Sequence, residues 1–123
     1  MPILNFQRRF VPKILAETKV HTIRVIGTRK FRPGNMLYMQ TGPRFAPERF
    51  AVNQCLRVRE IILFTNNCTI WHEDDSGFIM PPLDRFARAD GFENWAELQE
   101  FFKGRLDGVR HQLIQWAPAE WEQ

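Results

Sequence analysis

The run from Ala51 to Phe64 is the longest stretch of this chain that reads as strand. Val52, Gln54, Leu56, Val58 and Glu60 fall on one face of an extended backbone, and Cys55, Arg57 and Arg59 on the other. The alternation then gives way to Ile61–Ile62–Leu63–Phe64, apolar on both faces, as in a strand covered on both sides. A run this long predicts one strongly bent strand or two strands in succession. Either way the core is built on β-structure.

Shorter strand runs surround it: Ile3–Phe6, His21–Ile26, Met36–Gln40, Cys68–His72, Phe78–Met80 and Val109–Trp116. Turn chemistry separates them. Arg32–Pro33–Gly34–Asn35 sets one turn angle with proline and allows positive φ at glycine. Thr41–Gly42–Pro43, Thr65–Asn66–Asn67, the acidic Glu73–Asp74–Asp75–Ser76–Gly77 and Pro81–Pro82 punctuate the rest. Phe10–Ala16 has helical spacing, with Pro12 tolerable in a first turn. Leu83–Ala89 and Trp95–Lys103 form a late helical pair, the second capped by Asn94 with Glu97 in capping-box position. The segment from Ala117 to Gln123 reads as a loose tail. One early helix, many short strands and a late helical pair predict a single α+β domain over residues 1–123: a small closed β-barrel with helices packed at its ends.

The net charge of +3 hides an asymmetry. Residues 1–59 hold twelve Lys and Arg against two Asp and Glu, whereas residues 60–123 hold five against twelve. This suits a basic surface that meets a polyanion, or two halves that interleave and neutralise each other. No apolar run approaches the ~20 residues of a membrane span, and Met1–Phe10 lacks the apolar core of a signal peptide. A cytoplasmic protein with no membrane partner is the expectation. Cys55 and Cys68 lie in apolar surroundings and read as buried reduced thiols. His21, His72 and His111 are isolated, so neither a metal nor a cofactor is expected.

The chemistry concentrates at Lys19–Val20–His21–Thr22–Ile23–Arg24. On a strand, Thr22 and Arg24 share one face, with His21, Ile23 and Val25 on the other. An alcohol and a five-donor guanidinium then point the same way, with Lys19 just upstream. That is a candidate anion or nucleotide site; the plainer reading is an edge strand with solvated polar groups.

The stretch Phe10…Ile14–Leu15–Ala16–Glu17–Thr18–Lys19–Val20–His21–Thr22–Ile23–Arg24, a helix followed by Lys-x-x-Thr-x-Arg on a strand, resembles the signature of the ASCH family, small relatives of the PUA RNA-binding barrel. Pro33–Gly34 before Met36–Leu37–Tyr38, and Asp90–Gly91–Phe92 before Trp95–Ala96–Glu97–Leu98, are similar to later parts of the family pattern. The resemblance spans most of the chain. It implies a PUA-like pseudobarrel with a cleft beside helices that binds RNA or a nucleoside. It also implies a possible hydrolase: an amidohydrolase acting on an N4-acetylcytidine-type substrate, or a ribonuclease. In the amidohydrolase branch a lysine, a threonine and a carboxylate form the working set. Lys19 and Thr22 match the first two, and Asp90 or Glu93 supplies the third. The chain departs from the family at Glu17, where members carry glycine, and is longer around residues 73–84 and at the tail.

Two further readings stand beside the hydrolase. Arg24, Arg29, Lys30, Arg32 and Arg44 could neutralise phosphates, with Tyr38, Phe31 and Phe45 stacking on bases; core packing is the plainer reading of each aromatic and the favoured one for Tyr38. Alternatively, the acidic turn at Glu73–Asp75 and the exposed-looking Trp121 could serve a protein partner in a non-catalytic interaction domain. The sequence leaves the oligomeric state open.

Overall fold

A computed structural model describes residues 2–27 and 30–122. Arg29, one of the expected binding residues, lies outside the described residues. Eight strands and three α-helices make an α+β fold with two sheets. Strands β1 (Ile3–Asn5), β3 (Met36–Thr41) and β4 (Glu48–Gln54) form the first, in the order β1-β3-β4. Strands β2 (His21–Val25), β5 (Arg57–Leu63), β6 (Cys68–Trp71), β7 (Phe78–Ile79) and β8 (Val109–Gln115) form the second, in the order β2-β8-β5-β6-β7. Helix α1 is Val11–Leu15, entered through a 3-10 turn at Arg8–Phe10; α2 is Leu83–Ala89 and α3 Trp95–Phe101.

The expected closed barrel is not formed. Strand β1 pairs with β3 in parallel and β2 pairs with β8, so β1 and β2 are edges of different sheets. Residues 6–20 leave β1, make the 3-10 turn and α1, and only then start β2. Among the described residues, no strand pairing joins β1 to β2 across this seam. A side chain crosses it instead: Arg24 Nη2 donates to the carbonyl of Asn5 at 2.7 Å.

The long run 51–64 resolves into two strands belonging to two sheets. The amide of Cys55 donates to Asn35 O at 2.7 Å, continuing the first sheet. The next amide, Leu56, donates to Gln115 O at 2.7 Å and begins the second. A corner of this kind lets one run of alternating residues serve both sheets. Ile61 and Leu63 are fully buried, whereas Ile62 and Phe64 are half-buried, so the apolar end of the run is fully covered on one face only. Cys55 and Cys68 are buried free thiols, as expected, and burial pushes the Cys68 thiol up to about 12.

Residues 117–122 are not a loose tail. Ala119 and Trp121 belong to the core, and Glu120–Glu122 form a 3-10 turn. Glu122 holds this turn down: its Oε1 accepts from Arg59 Nη2 at 2.9 Å and from Gln115 Nε2 at 2.7 Å. The signal missed in the sequence is Trp121 itself, whose large ring gains more from burial than the short polar residues around it lose. The two oppositely charged halves of the chain also meet at Arg9–Glu97, Lys13–Glu93 and Lys19–Asp90. Interleaving thus neutralises part of the asymmetry. Among the described residues, no helix is long and apolar enough to cross a membrane.

Candidate functional site

The candidate site forms where α2 ends against the start of β2. Asn94 caps α3, its Oδ1 accepting from the Glu97 amide at 2.9 Å. Helix α2 closes differently. Gly91, at φ 98°, follows Asp90; the Gly91 amide donates to Arg88 O at 3.0 Å and the Phe92 amide to Ala87 O at 2.9 Å. This is a Schellman turn, and the left-handed residue it needs is most easily glycine. The turn leaves the Ala89 carbonyl free to accept from the Val20 amide at 2.9 Å, which docks Asp90 beside Lys19 and His21.

Lys19 is only 2% exposed. Its Nζ donates to the His21 carbonyl at 2.8 Å and to the Asp90 carbonyl at 2.5 Å, and lies 3.9 Å from Asp90 Oδ1. It also sits 4.9 Å from the centroid of the Phe10 ring. Burial lowers the ammonium from 10.5 to about 8; Asp90 pulls the other way, while Arg24, Lys13 and Arg9 add to the fall. The competition between desolvation and Asp90 is thus won by desolvation. The lysine stem packs closely on Gly91: a Cβ placed there would lie 2.9 Å from Lys19 Cδ and 2.8 Å from Phe10 Cδ1.

Asp90 is itself held. His21 Nδ1 lies 2.8 Å from Asp90 Oδ1, and Trp121 Nε1 donates to His21 Nε2 at 3.0 Å. An indole nitrogen can only donate, so Nε2 must accept and the ring proton sits on Nδ1, directed at the carboxylate. Burial lowers the His21 pKa, with Asp90 opposing, so the imidazole is neutral. The face of Phe86 stacks on it at 4.9 Å.

Lys19, Thr22, Arg24 and Asp90 all line one cavity of about 320 Å³ at the seam between β1 and β2. Asn5, Phe6 and Gln7 form the β1 side; Phe92, Phe101 and Arg105 come from the helical side. Arg24 Nε donates to Thr22 Oγ1 at 3.2 Å, which leaves the threonine proton free for another acceptor. Burial lowers the Arg24 pKa, with Asp90 opposing.

The other expected site residues lie elsewhere. Glu93 is exposed and pairs with Lys13 at 3.3 Å, so of the two candidate carboxylates only Asp90 reaches the cavity. Lys30, Arg32 and Arg44 are exposed and away from the lining. Half-buried Tyr38 carries Arg49 over its ring at 4.5 Å. His21 and Trp121 were not expected at the site; a histidine one position before Thr22 on an alternating strand reads as facing away. Among the described residues, no cluster of three or more His, Cys, Asp or Glu is placed to hold a metal.

The chain matches no known family model, no curated protein and no solved structure.

Proposed function

We propose that this cavity binds an N-acylated nucleoside and removes its acyl group, with Lys19 as base, as the ASCH resemblance implies. The observation that carries the reading is Lys19: a buried lysine that lines one hollow together with a hydroxyl, a guanidinium and a carboxylate. With its pKa lowered to about 8, roughly a tenth of the side chain is neutral near pH 7. A volume of about 320 Å³ suits a single nucleobase with its sugar better than a length of RNA. Phenylalanine rings at 6, 10, 92 and 101 offer flat apolar surface, and the Gln7 side-chain amide offers a donor and an acceptor for a base edge, whereas the Asn5 amide oxygen is held by Gln40 Nε2 at 2.8 Å. Glu17 adds a further point of support. It takes φ 63°, a conformation that glycine favours, at the position where members of the family carry glycine.

In this scheme neutral Lys19 accepts the Thr22 proton, and Oγ1 attacks the acyl carbon. The carbonyl electron pair moves onto oxygen, where Arg24 stabilises it. Collapse of the adduct breaks the carbon–nitrogen bond, and the departing amine takes the proton back from Lys19. Water, deprotonated by Lys19, then attacks the Thr22 ester; the acyl–oxygen bond breaks, Thr22 Oγ1 takes the proton back from Lys19, and the carboxylic acid leaves. Asp90, fixed by His21, holds the lysine in place.

The test is a panel of acylated nucleosides, N4-acetylcytidine among them, assayed for release of the free base-amine. Lys19→Met keeps the apolar stem and should lower kcat by at least about a hundredfold while binding persists. Turnover that survives Lys19→Met in folded protein sinks the scheme.

One observation favours a second reading, RNA binding without chemistry. Phe45 is 90% exposed beside Arg44, and Lys30, Arg32 and Arg44 have no carboxylate partner among the described residues. Such a rim would grip single-stranded RNA by charge and stacking. Its affinity for a short labelled RNA should fall steeply with salt and with Arg32→Gln or Arg44→Gln, and should ignore Lys19→Met.

A further inference from the structure

We propose that the ligand of this cavity carries an anionic group of the phosphate-monoester type, seated against Arg105 at the helical lip. The inference rests on the nucleoside reading above and deepens it from a neutral nucleoside to a nucleotide.

The argument is one of uncompensated charge. Three cationic side chains, Lys19, Arg24 and Arg105, line the hollow against a single carboxylate, Asp90. That carboxylate is already committed: Oδ1 is bonded to His21 Nδ1 at 2.8 Å and faces Lys19 Nζ at 3.9 Å. Neither arginine has a carboxylate partner among the described residues. Arg8, Arg9, Arg57, Arg59 and Arg110 each face a glutamate, and other arginines such as Arg32 and Arg44 are on the open surface with no carboxylate partner among the described residues; what sets Arg24 and Arg105 apart is that they line a hollow. Arg24 is largely desolvated and Arg105 stands exposed at the mouth of the hollow, and a guanidinium without a carboxylate partner gains most from an anion brought in by a ligand.

The two arginines are not equivalent. Arg24 is anchored, donating to Thr22 Oγ1 and to Asn5 O, and it covers the Phe6 ring at 4.8 Å. That fixes it over the reacting group. Arg105 makes one long hydrogen bond, to Phe101 O at 3.4 Å, and lies over Phe102 at 5.1 Å from the ring centroid. Its remaining donors are uncommitted. A guanidinium over an aromatic ring keeps N–H donors for other acceptors, and its fork matches two oxygens of a phosphate. The Phe92 and Phe101 rings beside it would hold the planar part of the same ligand.

The experiment titrates cytidine, cytidine 5′-monophosphate and inorganic phosphate into the intact protein by calorimetry at low salt; none of the three can be turned over. The monophosphate should bind at least about tenfold more tightly than cytidine. Arg105→Gln should bring the two within about twofold, chiefly by weakening the monophosphate. Equal affinities in the native protein overturn the inference, as does a preference that survives Arg105→Gln in folded protein. Inorganic phosphate binding as tightly as the nucleotide also overturns it, since it reports a free-anion site. If neither cytidine nor its monophosphate binds, the nucleoside reading fails and takes this inference with it; equal affinity removes only the phosphate.

Discussion

The indole N–H of Trp121 and the Nε2 atom of His21 meet at 3.0 Å across one hundred residues of sequence. This bond decides which nitrogen of the imidazole carries the proton, and so connects the last turn of the chain to Asp90 and Lys19. Trp121→Phe removes the donor and keeps most of the ring. His21 should then populate both neutral tautomers, visible in the nitrogen-15 shifts of its ring. Unfolding free energy should fall by about 1–2 kcal/mol, since a buried acceptor is left unpaired. A histidine spectrum identical to that of the native protein would contradict the tautomer assignment.

Stability should rise with pH in the alkaline range. Lys19 has a folded pKa of about 8 against 10.5 unfolded, so the unfolded chain binds more protons between those values. The slope of unfolding free energy against pH is then positive from about pH 8 to 10.5. The gain across the window is of order 3 kcal/mol, from about 1.4 kcal/mol per unit, and Lys19→Met should abolish it. His21 acts at the acid end. Its lowered pKa means that below pH 6.5 the unfolded chain takes up a proton that the folded one refuses, so stability should fall as pH drops from there. Urea titrations at a series of pH values measure both.

Gly91→Ala should be among the more damaging small substitutions. The residue sits at φ 98°, and a methyl group would press on the Phe10 ring and the Lys19 stem. Strain and overpacking together should cost about 3 kcal/mol. Denaturant midpoints give the loss, and a value below about 1 kcal/mol would show that the helix end relaxes freely.

Glu17→Gly should act in the opposite sense. Glu17 is exposed and holds φ 63° after α1. Glycine takes that conformation without the steric penalty, though it gains entropy in the unfolded chain. The net expectation is a stabilisation of about 0.5–1 kcal/mol, read as a higher thermal midpoint.

Much of the secondary structure was legible because it depends on neighbours in sequence. Leu83–Ala89 matches α2, and the Asn94 cap starts α3 where expected. Sheet assignment was less legible. Nothing local to Cys55–Leu56 says that one amide pairs with Asn35 and the next with Gln115; distant partners make that choice. Closure of the barrel failed for a similar reason, since it depends on whether β1 and β2 meet edge to edge. At the site, Lys19, Thr22 and Arg24 were legible from residue type and motif, and all three line one cavity; the carboxylate was narrowed only to Asp90 or Glu93, through the resemblance. Choosing Asp90 over Glu93 needed the Schellman turn, which points one inward and leaves the other to Lys13. His21 was hidden by strand alternation, and Trp121 by its place among polar residues near the chain end.

The unpaired seam between β1 and β2 has a practical consequence. Whatever occupies the hollow touches Asn5–Gln7 on one side and Thr22–Val25 on the other, so a bound molecule would rivet two sheets whose edge strands do not pair there among the described residues. Its binding energy would add directly to the resistance of the fold to heat, by about 2.7 kcal/mol at a hundred times its dissociation constant. Melting curves against a library of metabolites can therefore find the natural occupant without any assumption about the reaction it undergoes.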